Sequence, residues 1–139
     1  MTKVQKQLST SPKGELSIRT LAMPADTNPN GDIFGGWVLS QMDIAGGIVS
    51  KRIAGTKTVT VSVEAMQFYL PVLVGDVLCC YVDLVKIGRT SITVGIEAWV
   101  NREYNTQRVK VTEGTFTYVA IDATRRPTPI VNKAPSSDS

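Results

Sequence analysis

"GWVLSQMDIAGGIVSKRI", residues 36–53, decides the fold. It contains no proline and runs for about five turns at 3.6 residues per turn, so it reads as a helix, and nothing else in the chain offers a second long one. Outside Ser40, Gln41 and Asp43, its residues from Gly36 to Val49 are apolar or small on every side of the wheel. A helix of that kind must bury most of its circumference. The surroundings read as strands. Glu15–Leu21 alternates, and Thr58–Phe68 sets Val59, Val61, Val63 and Ala65 against Thr58, Thr60, Ser62 and Glu64. After a break at Pro71 and Gly75 comes Val77–Lys86. Thr90–Asn101 carries Ile92, Val94, Ile96, Ala98 and Val100 on one face, and Arg108–Ile121 completes the set. Short connections between the later strands indicate an antiparallel sheet with one helix laid on it, an α+β fold. The sheet covers one side of the helix, and a second subunit is expected to cover the other.

Upstream, the loop from Ala22 to Asp32 is rich in Pro, Asn, Asp and Gly, residues that set turns by fixed φ, local hydrogen bonds and tolerance of positive φ. Gly35 and Gly36 stand where the helix begins. The first amides of a helix have no intrahelical acceptor and carry a partial positive charge, and glycine lets an oxygen approach them, so this is a ready oxyanion hole. Asp43 follows about two turns on, roughly 10 Å along the axis. It shares its face with Gly36, Leu39, Gly47 and Ser50, within about 40° on the wheel. A carboxylate on an apolar helix is costly unless it is satisfied, and such cost is common at catalytic positions, although structural hydrogen bonds would serve as well. Gly46 and Gly47 cost about 1 kcal/mol each against alanine, which points to close approach by a strand, a ligand or a partner.

Composition narrows the chemistry. The chain has 139 residues, 42% of them hydrophobic, enough for one domain with a core, and no run long enough to span a bilayer. Residues 1–14 are polar and lack the apolar region of a secretory signal, and the Pro-, Ser- and Lys-rich stretch 123–139 reads as a loosely ordered tail, leaving 15–122 as the domain and the cytoplasm as its expected location. There is no histidine, which removes Ser-His-Asp and Cys-His catalysis and histidine metal sites. Cys79 and Cys80 are adjacent in a strand and point to opposite faces, so neither a disulfide between them nor a metal site is expected. The net charge of +3 is spread along the chain without a nucleic-acid motif; neither nucleic acid nor membrane is expected as a partner.

The passage LAMPADTNPNGDIFGGWVLSQMD, the strand VTVSVEAMQF, PVLVGDVLCCY and KIGRTSI together closely resemble the YciA-like acyl-CoA thioesterases of the hotdog-fold superfamily, over about Ile18 to Ala120. The resemblance implies a curved antiparallel β-sheet wrapped around one long central α-helix, protomers paired edge to edge, and a homo-oligomer that is at least a dimer and commonly a hexamer. It implies that Asp43 is the catalytic helix carboxylate, that the Gly35 amide polarises the thioester carbonyl with Gly36 beside it, and that Asn28 positions substrate or water. The turn Gly88, Arg89, Thr90 and Ser91 resembles the segment that meets coenzyme A, which is part of the substrate; no separate cofactor is implied. By itself KIGRTS is an ordinary hairpin turn. Thr60 and Glu64 share a face of the strand that runs along the subunit interface in hotdog dimers, which would bring either toward the partner's carboxylate or leave both as interface or surface groups. Phe34 and Trp37 line the substrate path or pack in the core. Hydrolysis of an acyl-CoA suits a chain without histidine, because a thiolate of pKa about 8.5 leaves with little protonation. Asp43 then serves as general base or as nucleophile. The alternative is a non-catalytic acyl-CoA binder or sensor.

Overall fold

The computed structural model describes residues 11–101 and 108–130. Strand β1 (Glu15–Leu21) leads through a single 3-10 turn (Pro24–Asp26) to helix α1 (Gly35–Ala54), followed by β2 (Thr58–Phe68), β3 (Val77–Ile87), β4 (Ser91–Asn101) and β5 (Arg108–Ala120). All neighbouring strands are antiparallel, in the order β1-β3-β4-β5-β2. The helix therefore crosses from one edge of the sheet to the other. This is the arrangement that the alternating strands and the single apolar helix predict.

The helix begins without a side-chain cap and stops at Gly55, whose φ of 72° is the left-handed turn glycine adopts freely; its amide donates to Lys51 O at 2.9 Å. Lys51 and Arg52 in the last turn complement the helix dipole, and Arg52 also holds Glu15 of β1 through both guanidinium nitrogens, at 3.0 and 2.8 Å. Val38, Met42, Ala45 and Val49 form the stripe that packs on the sheet, where Leu78, Ile92, Val94, Ile96 and Phe116 meet it.

Burial of the helix is one-sided. Met42 and Ala45 are fully enclosed, whereas Ile44 is 51% and Ile48 49% exposed. Beside them the edge strand β2 exposes Val61 and Val63. One chain thus covers one side of the helix, and the other apolar side is open to a partner, as the all-round apolar sequence requires.

Cys80 lies in the main core and Cys79 on the opposite sheet face with Trp99 and Tyr81, both cysteines free and buried. Burial pushes the Cys80 thiol up to about 12. Two expectations about the ends change. Lys13 N donates to Glu97 Oε1 at 3.1 Å, so residues 11–14 are already tied to the sheet, and residues 1–10 lie outside the described residues. The segment after β5 is ordered as far as Ile130, because Asp122 Oδ1 accepts the amides of Thr124 and Arg126 and turns the chain back, and Ile130 is buried in the core with its amide on Arg89 O at 2.9 Å. Only residues 131–139 of the expected tail lie outside the described residues. Among the described residues, no helix is long and apolar enough to cross a membrane.

Candidate active site

Asp43 sits in the middle of α1, half-buried, on the side facing β2 and β5. Register decides what it meets. Thr60 and Tyr118 are cross-strand partners in the β2–β5 pair, and both aim their hydroxyls at the same carboxylate oxygen. Thr60 Oγ1 donates to Asp43 Oδ1 at 2.7 Å, and the Tyr118 hydroxyl lies 3.0 Å from Oδ1 and 3.0 Å from the Asp43 backbone oxygen. Burial, and then the charge of Asp43, push the Tyr118 phenol well above its ordinary value, so it remains a donor and does not act as a base. Oδ2 accepts no hydrogen bond from a described residue. One oxygen is fixed and the other is left for chemistry.

The close approach rests on Gly46. A Cβ there would overlap the Tyr118 hydroxyl and come within 2.7 Å of Ile96 Cδ1, so the glycine is what lets the tyrosine reach the carboxylate. A turn further on, Ser50 Oγ and Thr58 Oγ1 are 2.7 Å apart and continue the polar seam between α1 and β2.

At the helix start, Phe34 O accepts the amides of Trp37 and Val38 at 3.1 and 3.3 Å. The Gly35 and Gly36 amides have no acceptor among the described residues, and a Cβ at Gly36 would meet nothing within 4 Å. Packing within the chain does not require glycine at Gly36. The entry is pinned by Phe34 N to Asp26 O at 2.9 Å and Ile33 N to Val72 O at 3.0 Å. Beside Gly35 lies a cavity of about 250 Å³ walled by Ile33, Val38, Phe68, Leu70, Val72 and Thr112. A larger hollow of about 400 Å³ runs over exposed Ile44 and Ile48 and is rimmed by Lys51, Lys57 and Arg125.

The other expected site residues divide. Thr60 reaches the Asp43 of its own chain. Glu64 is exposed, pairs in register with Thr115 and makes no recorded contact with Asp43. The Asn28 side chain accepts the amides of Asn30 at 2.9 Å and Asp32 at 3.1 Å, an Asx turn that shapes the loop, and its Nδ2 is left without an acceptor among the described residues. Gly88–Ser91 is a tight hairpin turn closed by Gly88 N to Ser91 O at 2.8 Å; the Arg89 side chain is exposed, while Thr90 O accepts the amide of Ala120 at the end of β5 and Arg89 O that of Ile130 beyond it. Trp37 packs against the core and Phe34 is 47% exposed. Tyr118 escapes a reading of the sequence, because TFTYVA looks like any half-buried strand and only the register of β5 against β2 brings the phenol to Asp43. Among the described residues, no group of three or more His, Cys, Asp or Glu could hold a metal ion.

Such an arrangement can activate a water or attack a carbonyl at Oδ2 and can stabilise an oxyanion at the helix start. The family model of the thioesterase superfamily matches residues 30–105. The chain is 56% identical over 126 residues to the acyl-CoA thioester hydrolase YciA of Salmonella typhimurium, covering 88% of this chain and 95% of that one. It is 56% identical over 119 residues to the protein of the same name in Escherichia coli K12, covering 84% and 90%. Among solved structures it resembles a hexameric broad specificity acyl-coenzyme A thioesterase crystallised as an aspartate-to-alanine mutant, with TM-score 0.84, 50% identity and coverage of 87% and 91%. It also resembles the hexameric thioesterase of Yersinia pestis, with TM-score 0.83, 56% identity and coverage of 86% and 98%.

Proposed function

The chain belongs to the thioesterase superfamily, and on that premise we infer that it is an acyl-CoA thioester hydrolase, releasing free coenzyme A and a carboxylic acid. The observation that carries the reading is the state of Asp43: Oδ1 is tied by Thr60 and Tyr118, and Oδ2 has no donor among the described residues, about two turns from two helix amides that have no acceptor among them. The thioester carbonyl oxygen sits on the Gly35 amide, with Gly36 leaving it room. Asp43 Oδ2 takes the proton of a water that attacks the carbonyl carbon, or attacks that carbon itself to give an anhydride that water then opens. The thiolate departs without a strong acid, since its pKa is about 8.5. Asn28 Nδ2 donates to the substrate or the water. The amide is worth about 10²–10³-fold and the base about 10²–10⁴-fold.

Arg89 and the turn Gly88–Ser91 hold the phosphates of coenzyme A, helped by the basic rim of Lys51, Lys57 and Arg125. The chain works as a homo-oligomer. The edge strand β2 offers unpaired backbone groups beside Val61 and Val63, and Ile44 and Ile48 extend the apolar surface, so a second copy pairs there. A trimer of such dimers makes the hexamer, which sedimentation would measure. Buried free cysteines suit a reducing cytoplasm.

The test is thiol release from short, medium, long and aromatic acyl-CoAs. Turnover of any class establishes the hydrolase. Binding of free coenzyme A without turnover of any would instead make the protein a sensor.

A further inference from the structure

We propose that Phe68 is a specificity-determining residue: its ring forms the mouth of the cavity beside Gly35 and makes the enzyme favour an unbranched apolar acyl chain over acetyl. This rests on the thioesterase reading above, since it takes Gly35 as the place of the carbonyl.

An irregularity in the pairing of β2 with β5 puts the ring there. Glu64 pairs with Thr115 and Gln67 with Glu113, so β2 advances three positions where β5 advances two and carries one extra residue. Regular alternation onward from Val63, which pairs with the core residue Phe116, would point Phe68 away from the helix. The extra residue turns it to the helix side, opposite Thr112. Ala65, within the irregularity, has φ 55°, a left-handed conformation that a residue with a Cβ rarely adopts. The strand thus accepts local strain and aims an aromatic ring at the helix start. Cε2 of that ring lies 3.5 Å from where a Cβ on Gly35 would stand. The backbone behind it is fixed, because Val111 O accepts the amides of Tyr69 at 2.8 Å and Leu70 at 3.4 Å.

Phe68 is 50% exposed, whereas Ile33, Val38 and Val72 in the same wall are buried, so the ring stands at the mouth and these three form the floor. Its apolar surface stays wetted until a chain covers it. The two hydroxyl-bearing residues of the wall offer a ligand no polar contact: the Tyr69 phenol is engaged with Glu113, and the Thr112 Oγ1 is closed off from groups of water size. No charged side chain lines the cavity, so an apolar chain is what it takes. At about 250 Å³ it has room for about eight groups of water size. An acetyl group ends beside the carbonyl, while a hexanoyl group adds methylenes for the ring and floor to cover, each worth about fourfold when fully buried.

The experiment measures thiol release from acetyl-CoA and hexanoyl-CoA by wild type, Phe68→Ala and Phe68→Gln. The readout is the ratio of kcat/KM for hexanoyl-CoA to that for acetyl-CoA within one protein, so a general loss from folding or assembly divides out. Wild type is expected to favour hexanoyl-CoA by about tenfold or more, and each variant to lower that ratio by about threefold or more. A wild type without that preference, or a ratio that falls by less than about threefold in either folded variant, overturns the proposal. If wild type releases no thiol from any acyl-CoA, the thioesterase reading fails separately, and the affinities of the same two ligands are measured by calorimetry. A preference for hexanoyl-CoA that depends on Phe68 then upholds the assignment, and equal affinities, a preference that survives in the variants, or no binding refute it.

Discussion

A methyl group added at Gly46 would overlap the Tyr118 hydroxyl, whereas one added at Gly36 would meet nothing within 4 Å. Both positions belong to glycine pairs of the same helix, and the same residue type serves opposite ends in them. Gly46 removes a side chain so that a strand can close on the helix and lock Asp43. At the helix start the missing side chains keep a surface open over amides that nothing in the described chain satisfies. Packing explains the glycine at Gly46, whereas packing within the chain gives no reason for the one at Gly36. Asp43 lies between a closed region that fixes one of its oxygens and an open region at the helix start.

Five substitutions break or sharpen that contrast. Asp43→Asn leaves fold and oligomer intact while thiol release falls at least about 10²-fold; heat unfolding and sedimentation on the same sample separate this from misfolding. Tyr118→Phe keeps the ring and removes one donor to Oδ1, so kcat falls about tenfold with KM unchanged. An equal fall in kcat and rise in KM would instead mark a general distortion. Gly46→Ala gains about 1 kcal/mol of helix propensity but loses about 2 kcal/mol to overpacking, for a net loss of about 1 kcal/mol and a Tm lower by about 4 °C, read by calorimetry. Gly36→Ala, by contrast, does not lower the Tm. At the small end, Glu64→Gln changes activity less than about twofold, because the exposed side chain touches nothing at the site.

Most of the fold was legible because it rests on periodicity. The strands Glu15–Leu21 and Thr58–Phe68 alternate clearly, and the helix, expected over 36–53, runs from Gly35 to Ala54. The ordered turn at Asp122 and the burial of Ile130 were not legible, since a Pro- and Ser-rich composition hides a side chain that caps a turn and an isoleucine that docks far from its neighbours. In the site, Asp43 and the glycine pairs stood out as residues that a helix tolerates poorly. Tyr118 did not, because a tyrosine in a strand is ordinary and only the register reveals what it faces. Thr60 was visible as a candidate, but its contact with the Asp43 of its own chain follows from the helix and β2 lying together, which no local pattern encodes.

The most direct measurement compares Gly35→Pro with Gly35→Ala. Proline is favoured at the first helical position, Phe34 before it has φ −54° and ψ 134°, a conformation proline accepts in its predecessor, and an added Cβ makes ordinary contact with Phe68 at 3.5 Å. The proline variant thus deletes one N–H, while the alanine variant keeps it. If that amide holds the oxyanion, Gly35→Pro loses about 10²–10³-fold in kcat relative to Gly35→Ala at equal heat stability. Equal kcat in the two variants would contradict the role assigned to the helix start.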